Sequence, residues 1–311
     1  MKKVSLLIGV AFLAGCAGTD RATSPQAIDG PTSATLDVGG NNGDLHGAPE
    51  HEFKARGQVR PGGGGGSALM TSHGGIILVA NKTQAIFWGS EWTSATFAGD
   101  KITGLDSFFS GFGGSNYAGT NTEYTGTNGQ VTRTSTYLGH VIDATAAPSR
   151  APSVSAAVAE ACKVTNNNPD PNALYLLYTS TGAGHVSYCA WHSYGSCSNG
   201  APVQVAYMPN IDGLAGCDPV DTYNTGHSQG LAAVANVTAH ELSETITDPR
   251  NGGWYDSGGA ENGDKCAWTF VSAVTLSNGS KWKLQQEWSN AAFTAGTGNP
   301  NNSGQKGCLQ G

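Results

Sequence analysis

Between Lys163 and Arg250 the chain carries no lysine or arginine, while Asp170, Asp212, Asp218, Asp221, Glu241, Glu244 and Asp248 all fall inside that interval. Any of those carboxylates that the fold buries must find a partner other than a sequence-adjacent cation, because an isolated buried charge is strongly disfavoured. A metal ion is the simplest such partner, and a basic side chain brought in from elsewhere in the fold is the alternative. The interval also holds the clearest elements. Ala173 to Thr179 is an apolar run bounded by turn residues, as a buried strand would be. His185 to Trp191 and Val203 to Met208 are two further strand candidates, and Ser228 to Thr247 reads as a long helix that stops before Pro249.

Within that helix stands His240-Glu241-Leu242-Ser243-Glu244, an H-E-x-x-E pattern. At about 100° per residue His240 and Glu244 lie about 40° apart and one turn along, so both project from one face and could hold one cation. Glu241 is displaced by about 100°, where it could activate a water on that cation. The arrangement is that of an H-E-x-x-H zinc helix with Glu244 in place of the second histidine. Leu231, Ala235, Leu242 and Ile246 form a core-facing stripe, and the opposite side carries Ala233 and Val237 beside His240 and Glu244. A solvated face would be charged and long-chained, so this side is expected to line a partly covered cleft. A third ligand should come from beyond the helix, where Glu261 and Asp264 in Glu261-Asn262-Gly263-Asp264-Lys265-Cys266 both qualify. Asp248 is less attractive, since Asp-Pro at a helix end is an ordinary stop signal. His192, at the end of a strand candidate, is a possible ligand or substrate-polarising group, and equally a surface histidine on an edge strand. A site of one histidine and two carboxylates suits Zn²⁺ and would also accept Mn²⁺ or Ca²⁺.

The rest of the chain sets the context. Lys2 and Lys3 precede the apolar run Val4 to Phe12, which ends at Leu13-Ala14-Gly15-Cys16. That run is shorter than the roughly 20 residues of a spanning helix and reads as an export signal. Small residues before a cysteine resemble a bacterial lipoprotein signal, which implies cleavage of residues 1–15 and acylation of Cys16; an ordinary secretory signal is the alternative. Six cysteines remain, an even number that in an oxidising compartment suggests up to three disulfides. Residues 16–66, rich in Gly, Pro, Ser, Thr, Asn and Asp and closing on Pro61 and the glycines 62–66, are expected to be a flexible tether, with a domain over 67–311. The net charge of −7 excludes nucleic acid as a natural partner. In the domain, Ile76 to Val79 and Ala85 to Trp88 are β-prone, Ile102 to Phe109 has helical spacing, and Lys283 to Trp288 is a last strand candidate. The expected fold class is α/β, with a mixed, mainly parallel sheet and one long helix bearing the chemistry.

The stretch from Thr238 to Pro249, followed by Gly253-Trp254-Tyr255 and by Glu261 to Cys266, resembles the signature of the phosphate-induced protein 1 (EXORDIUM-like) family. Gly74 to Leu78, Ile86 to Gly89, Tyr175 to Ser180 and Cys189 to His192 resemble its upstream landmarks in the same order, and Glu287 to Asn290 with Cys308 its closing segment in bacterial members. The resemblance covers about residues 70–308. It implies secretion, as for the cell-wall-associated plant members, and a matched set of His240, Glu241, Glu244, Glu261 and Asp264, without naming a reaction. A weaker likeness, in element order and the H-E-x-x helix, is to zincin metallopeptidases, from which Glu244 and the following Asp248-Pro249-Arg250 depart.

Together these features lead to the expectation of a lipid-anchored extracytoplasmic metal-dependent hydrolase acting on a peptide or cell-wall polymer. A non-catalytic surface protein that binds carbohydrate and carries a structural metal is the alternative, and a two-carboxylate glycosidase is a third possibility with no favoured pair.

Overall fold

The main sheet contains β1 (His51–Lys54), β2 (Asn81–Trp88), β3 (Ser135–Asp143), β4 (Ala173–Thr179), β5 (Tyr188–Ser196) and β6 (Pro202–Met208), in the order β1-β5-β6-β4-β2-β3. The computed structural model describes residues 50–58 and 67–311, so the leader, Cys16 and most of the expected tether lie outside the described residues. Strands β6, β4, β2 and β3 are parallel, whereas β5 runs antiparallel to β6 and β1 antiparallel to β5. Four helices frame the site and the core: α1 (Lys101–Phe112), α2 (Val154–Val164), α3 (Gln229–Thr247) and α4 (Asn262–Lys265).

Central strand β4 is buried at every position. Its alternation divides the interior: Leu174, Leu176 and Tyr178 join the core that holds α1 and α3, while Tyr175 and Leu177 join the core that holds α2. The result is helix, sheet, helix, the mixed and mostly parallel α/β arrangement that the apolar runs imply. The Tyr178 hydroxyl and Thr238 Oγ1, 2.9 Å apart, tie α3 to the middle of the sheet.

Helix α3 starts as its sequence suggests, with Ser228 Oγ accepting from Leu231 N at 3.1 Å, and ends at Asp248, whose Oδ1 accepts from Gly252 N and Gly253 N, both at 2.8 Å. The expectation of a core stripe opposite a cleft is corrected. Every residue from Leu231 to Thr247 is buried, so no face of that stretch reaches solvent.

Three further expectations change. Ile76 to Val79 forms no strand; Leu78 N donates to Ile246 O at 2.9 Å, and Asn128 brackets Ile77 through both its amide groups, so local backbone demand is met by a helix end and a side chain. Between Lys281–Trp282 and Glu287–Trp288, residues 283–286 join no ladder. The tether boundary at residue 66 is too late, because β1 is the outer strand of the main sheet. In His51-Glu52-Phe53-Lys54 the first and third side chains point inward, and Lys54 pairs with Glu52 outside. Phe53 is fully buried, which by area contributes about 2–3 kcal/mol.

Three disulfides, Cys162–Cys197, Cys189–Cys217 and Cys266–Cys308, use all six cysteines of the domain and fit an oxidising, extracytoplasmic environment. Among the described residues no helix is long and apolar enough to cross a membrane.

Candidate metal centre

The i, i+4 spacing in α3 brings His240 Nε2 to 3.1 Å from Glu244 Oε1. Helix α4 adds Asp264, whose Oδ1 lies 4.0 Å from the same nitrogen. His240, Glu244 and Asp264 offer donor atoms all within 4.8 Å of one another. Two donors bonded at ~2.1 Å to one tetrahedral zinc stand about 3.4 Å apart, so these separations suit ligands around a common ion. His240 Nε2 is buried and meets Glu244 without hydrogen-bond alignment, leaving it without a hydrogen-bond partner.

Buried amides hold α4 against α3. Asn262 Nδ2 donates to Asn121 Oδ1 at 2.7 Å, Asn121 Nδ2 to Ser243 Oγ at 3.4 Å, and Asp264 N to Glu244 Oε1 at 2.9 Å. Gly263 sits where a β-carbon would stand 2.7 Å from His240 Nδ1, so only glycine lets α4 approach this closely. The Cys266–Cys308 bridge fixes the end of the same turn.

Of the two alternatives for a third ligand, Asp264 joins His240 and Glu244, whereas Glu261 turns to a different pair. His51 Nδ1 is 2.9 Å and His192 Nε2 3.6 Å from Glu261 Oε2. His192 is neither terminal nor exposed: it lies inside β5, 1% exposed, directly across from His51 of β1. Its other nitrogen, Nδ1, is 3.0 Å from Glu241 Oε2 and 3.6 Å from Glu244 Oε2. Glu244 thus faces His240 with one oxygen and His192 with the other. The tie between His192 and the helix is made through the sheet, which spacing in sequence cannot reveal.

Two participants went unseen in the sequence. His51 lies in a Gly- and Asp-rich segment, and four residues of alternation are too few to mark a strand. Gln285 lies in the extended stretch before Glu287. Its Oε1 accepts from Trp268 N at 3.3 Å, and its Nε2 donates to Gly263 O at 2.9 Å and lies 3.0 Å from His240 Nδ1. In this amide orientation Nδ1 is the accepting nitrogen. An ion on Nε2 instead requires Nδ1 to carry the proton and the Gln285 oxygen to face it, against the two contacts, from Trp268 N and to Gly263 O, that hold the amide as it stands.

Burial dominates the electrostatics. It pushes the Glu261 carboxyl up, opposed by His51 and reinforced by Glu244 and Asp248. Burial disfavours the charged form of His51, yet Glu261, Asp248 and Glu244 together outweigh it and raise that imidazole. Asp248 is raised by burial despite its two backbone N–H donors, and Glu287, which accepts from Tyr117 at 2.7 Å, is raised by burial as well.

The centre is covered. His240 and Glu241 are 0% exposed and Glu244 1%. Phe53 of β1 stacks on the His240 ring with centroids 3.7 Å apart, and Trp268 stacks on Phe53 at 4.7 Å. Among the described residues, surface concavities lie at the other end of α3, around Asp221, His227 and Gln229 and around Lys101, Asp212 and Gly230. No family model, no curated protein and no solved structure matches this chain.

Proposed function

We propose that this chain is an extracytoplasmic, lipid-anchored, metal-dependent hydrolase with peptidase-like chemistry, its ion held by His240, Glu244 and Asp264, and a bacterial member of the phosphate-induced protein 1 (EXORDIUM-like) family. The observation that carries the reading is the convergence of two buried donors, His240 and Glu244, and the half-buried Asp264, from two separate helices, with His240 Nε2 left without a hydrogen-bond partner. Zn²⁺ suits the donor set, and Mn²⁺ or Ca²⁺ are the alternatives. A divalent ion there supplies Lewis-acid polarisation of a scissile carbonyl and a more acidic water. Glu241 would be the group to take the proton of such a water, and His192, its Nδ1 3.0 Å from Glu241 Oε2, would orient the carboxylate. Substrate, a peptide or cell-wall polymer, has to pass the Phe53 ring that stacks on His240. The test is metal analysis of protein purified without chelators, with a peptide hydrolysis screen on the wild type and Glu241→Gln. A metal-free native protein refutes the reading, and unchanged hydrolysis in the variant removes the role given to Glu241.

The complete burial of His240 and Glu244 favours a second reading, a non-catalytic cell-surface protein that binds carbohydrate and uses the metal to brace its core. Under that reading chelation lowers the melting temperature while no peptide, ester or glycan is turned over.

A further inference from the structure

We infer that the centre holds a second cation, bound by His51, His192 and Glu261, which fastens the N-terminal strand to the sheet. The inference rests on the reading of this cluster as a metal centre and adds a site distinct from His240, Glu244 and Asp264. The two triads share no residue, and each has its donors within 4.8 Å of one another.

The register of the sheet makes the second triad. His51 and His192 are direct partners across the β1–β5 pair, so their side chains stand on the same face. Their rings stack with centroids 4.8 Å apart and planes 17° from parallel. Both reach Glu261, the residue just before α4, at 2.9 and 3.6 Å, which brackets the ~3.4 Å between ligands of one tetrahedral zinc. Neither oxygen of Glu261 and neither ring nitrogen of His51 has an aligned hydrogen-bond partner, and Glu261 is 0% exposed. The one neighbour that offsets its burial is the His51 imidazole, and a cation shared with His51 and His192 supplies a stronger partner.

The surroundings of His192 also suit a ligand. With the tautomer that carries its proton on Nδ1, 3.0 Å from Glu241 Oε2, His192 turns an accepting Nε2 toward Glu261. A ligating histidine characteristically donates its other N–H to a carboxylate, and Glu241 occupies that place. A cation here joins strand β1, strand β5 and the start of α4.

The experiment is equilibrium dialysis of the full chain, stripped with chelator and returned to low free Zn²⁺, with zinc and protein quantified together. The expected contents are two ions per chain for wild type, one for His51→Ala and one for Asp264→Asn. Circular dichroism checks that each variant is folded. One ion in wild type that persists in His51→Ala overturns the inference and leaves the His240 centre standing. One ion in wild type that is lost in His51→Ala, with Asp264→Asn unaffected, supports the His51 triad and overturns the His240 reading. No zinc in wild type overturns both. Should His51→Ala fail to fold, carbethoxylation of His51 in the wild-type protein decides the matter. Protection gained only with the second equivalent of Zn²⁺ supports the inference, and reactivity unchanged by zinc refutes it.

Discussion

Replacing Glu244 by Gln should change the stability of the metal-free and metal-loaded protein in opposite directions. Oε1 of Glu244 accepts from Asp264 N and faces His240, while Oε2 faces His192. Glutamine keeps an oxygen for the Asp264 N–H and removes the charge. Two carboxylates ~5 Å apart repel by about 3 kcal/mol at an effective dielectric of ~20. Against that, the contacts of Glu244 to His240 and His192 are weakened. The net gain for the chelated protein is therefore set at about 1–2 kcal/mol. For a domain of this size that raises Tm by roughly 2–8 °C. In wild type, Zn²⁺ at 100 times its Kd adds about 2.7 kcal/mol, or roughly 5–10 °C. The variant, deprived of the carboxylate shared between His240 and His192, should lose most of that increment. Differential scanning calorimetry of both proteins in EDTA and in buffered Zn²⁺ measures all four values. A wild type that gains nothing from zinc, or a variant that gains as much as wild type, refutes the reasoning.

Gly263→Ala places a β-carbon 2.7 Å from His240 Nδ1 and 3.1 Å from Glu244 Oε1, so α4 must withdraw. Zinc content should fall by at least half, with Tm lowered by a few degrees, as overpacking of about 1–3 kcal/mol implies. Gln285→Glu puts a carboxylate opposite His240 Nδ1, which holds the proton there and frees Nε2, at the cost of the N–H that Gln285 donates to Gly263 O; zinc affinity measured by competition with a chromophoric chelator should rise up to about tenfold, and a loss of affinity would count against His240 as an Nε2 ligand. In EDTA the protein should lose stability from pH 5 to pH 8. Burial raises Glu261, and burial with a hydrogen bond to Asp143 holds Glu160 up at about 7, from an ordinary value of 4.5. The folded state therefore binds more protons than the unfolded one above about pH 4.5, and stability falls as pH rises through the shifted values. His51, raised from 6.5, contributes with the same sign, since its stabilising proton is lost as pH climbs through its folded value. A Tm that is flat or rising across that range in thermal melts contradicts this picture.

Much of the helix and its chemistry was legible in the chain itself. Ser228, the apolar spacing after it and Asp248-Pro249 mark the limits of α3, because capping and proline sterics are local. The one-turn spacing of His240 and Glu244 is equally local, and so is the fully apolar β4. Helix α2 and strand β3 were not marked. The first is built mainly from alanine and valine with little polar contrast, and the second alternates half-buried with exposed positions along a sheet edge. Asp264 was one of two acids that sequence alone could not separate, because Glu261 and Asp264 differ only in which side of α4 they take.

By itself the sequence determined that an imidazole and a carboxylate would stand side by side on a long helix in a cation-poor stretch, since helical pitch depends on nothing beyond the neighbouring residues. Only the tertiary structure decided what surrounds them. Pairing of β1 with β5 carries His51 and Phe53 across more than a hundred residues of sequence to His192 and His240, and turns an expected open cleft into a closed interior. Sheet register and helix docking are contacts between distant segments, and no local spacing encodes which acid, which histidine or which aromatic ring they will bring together.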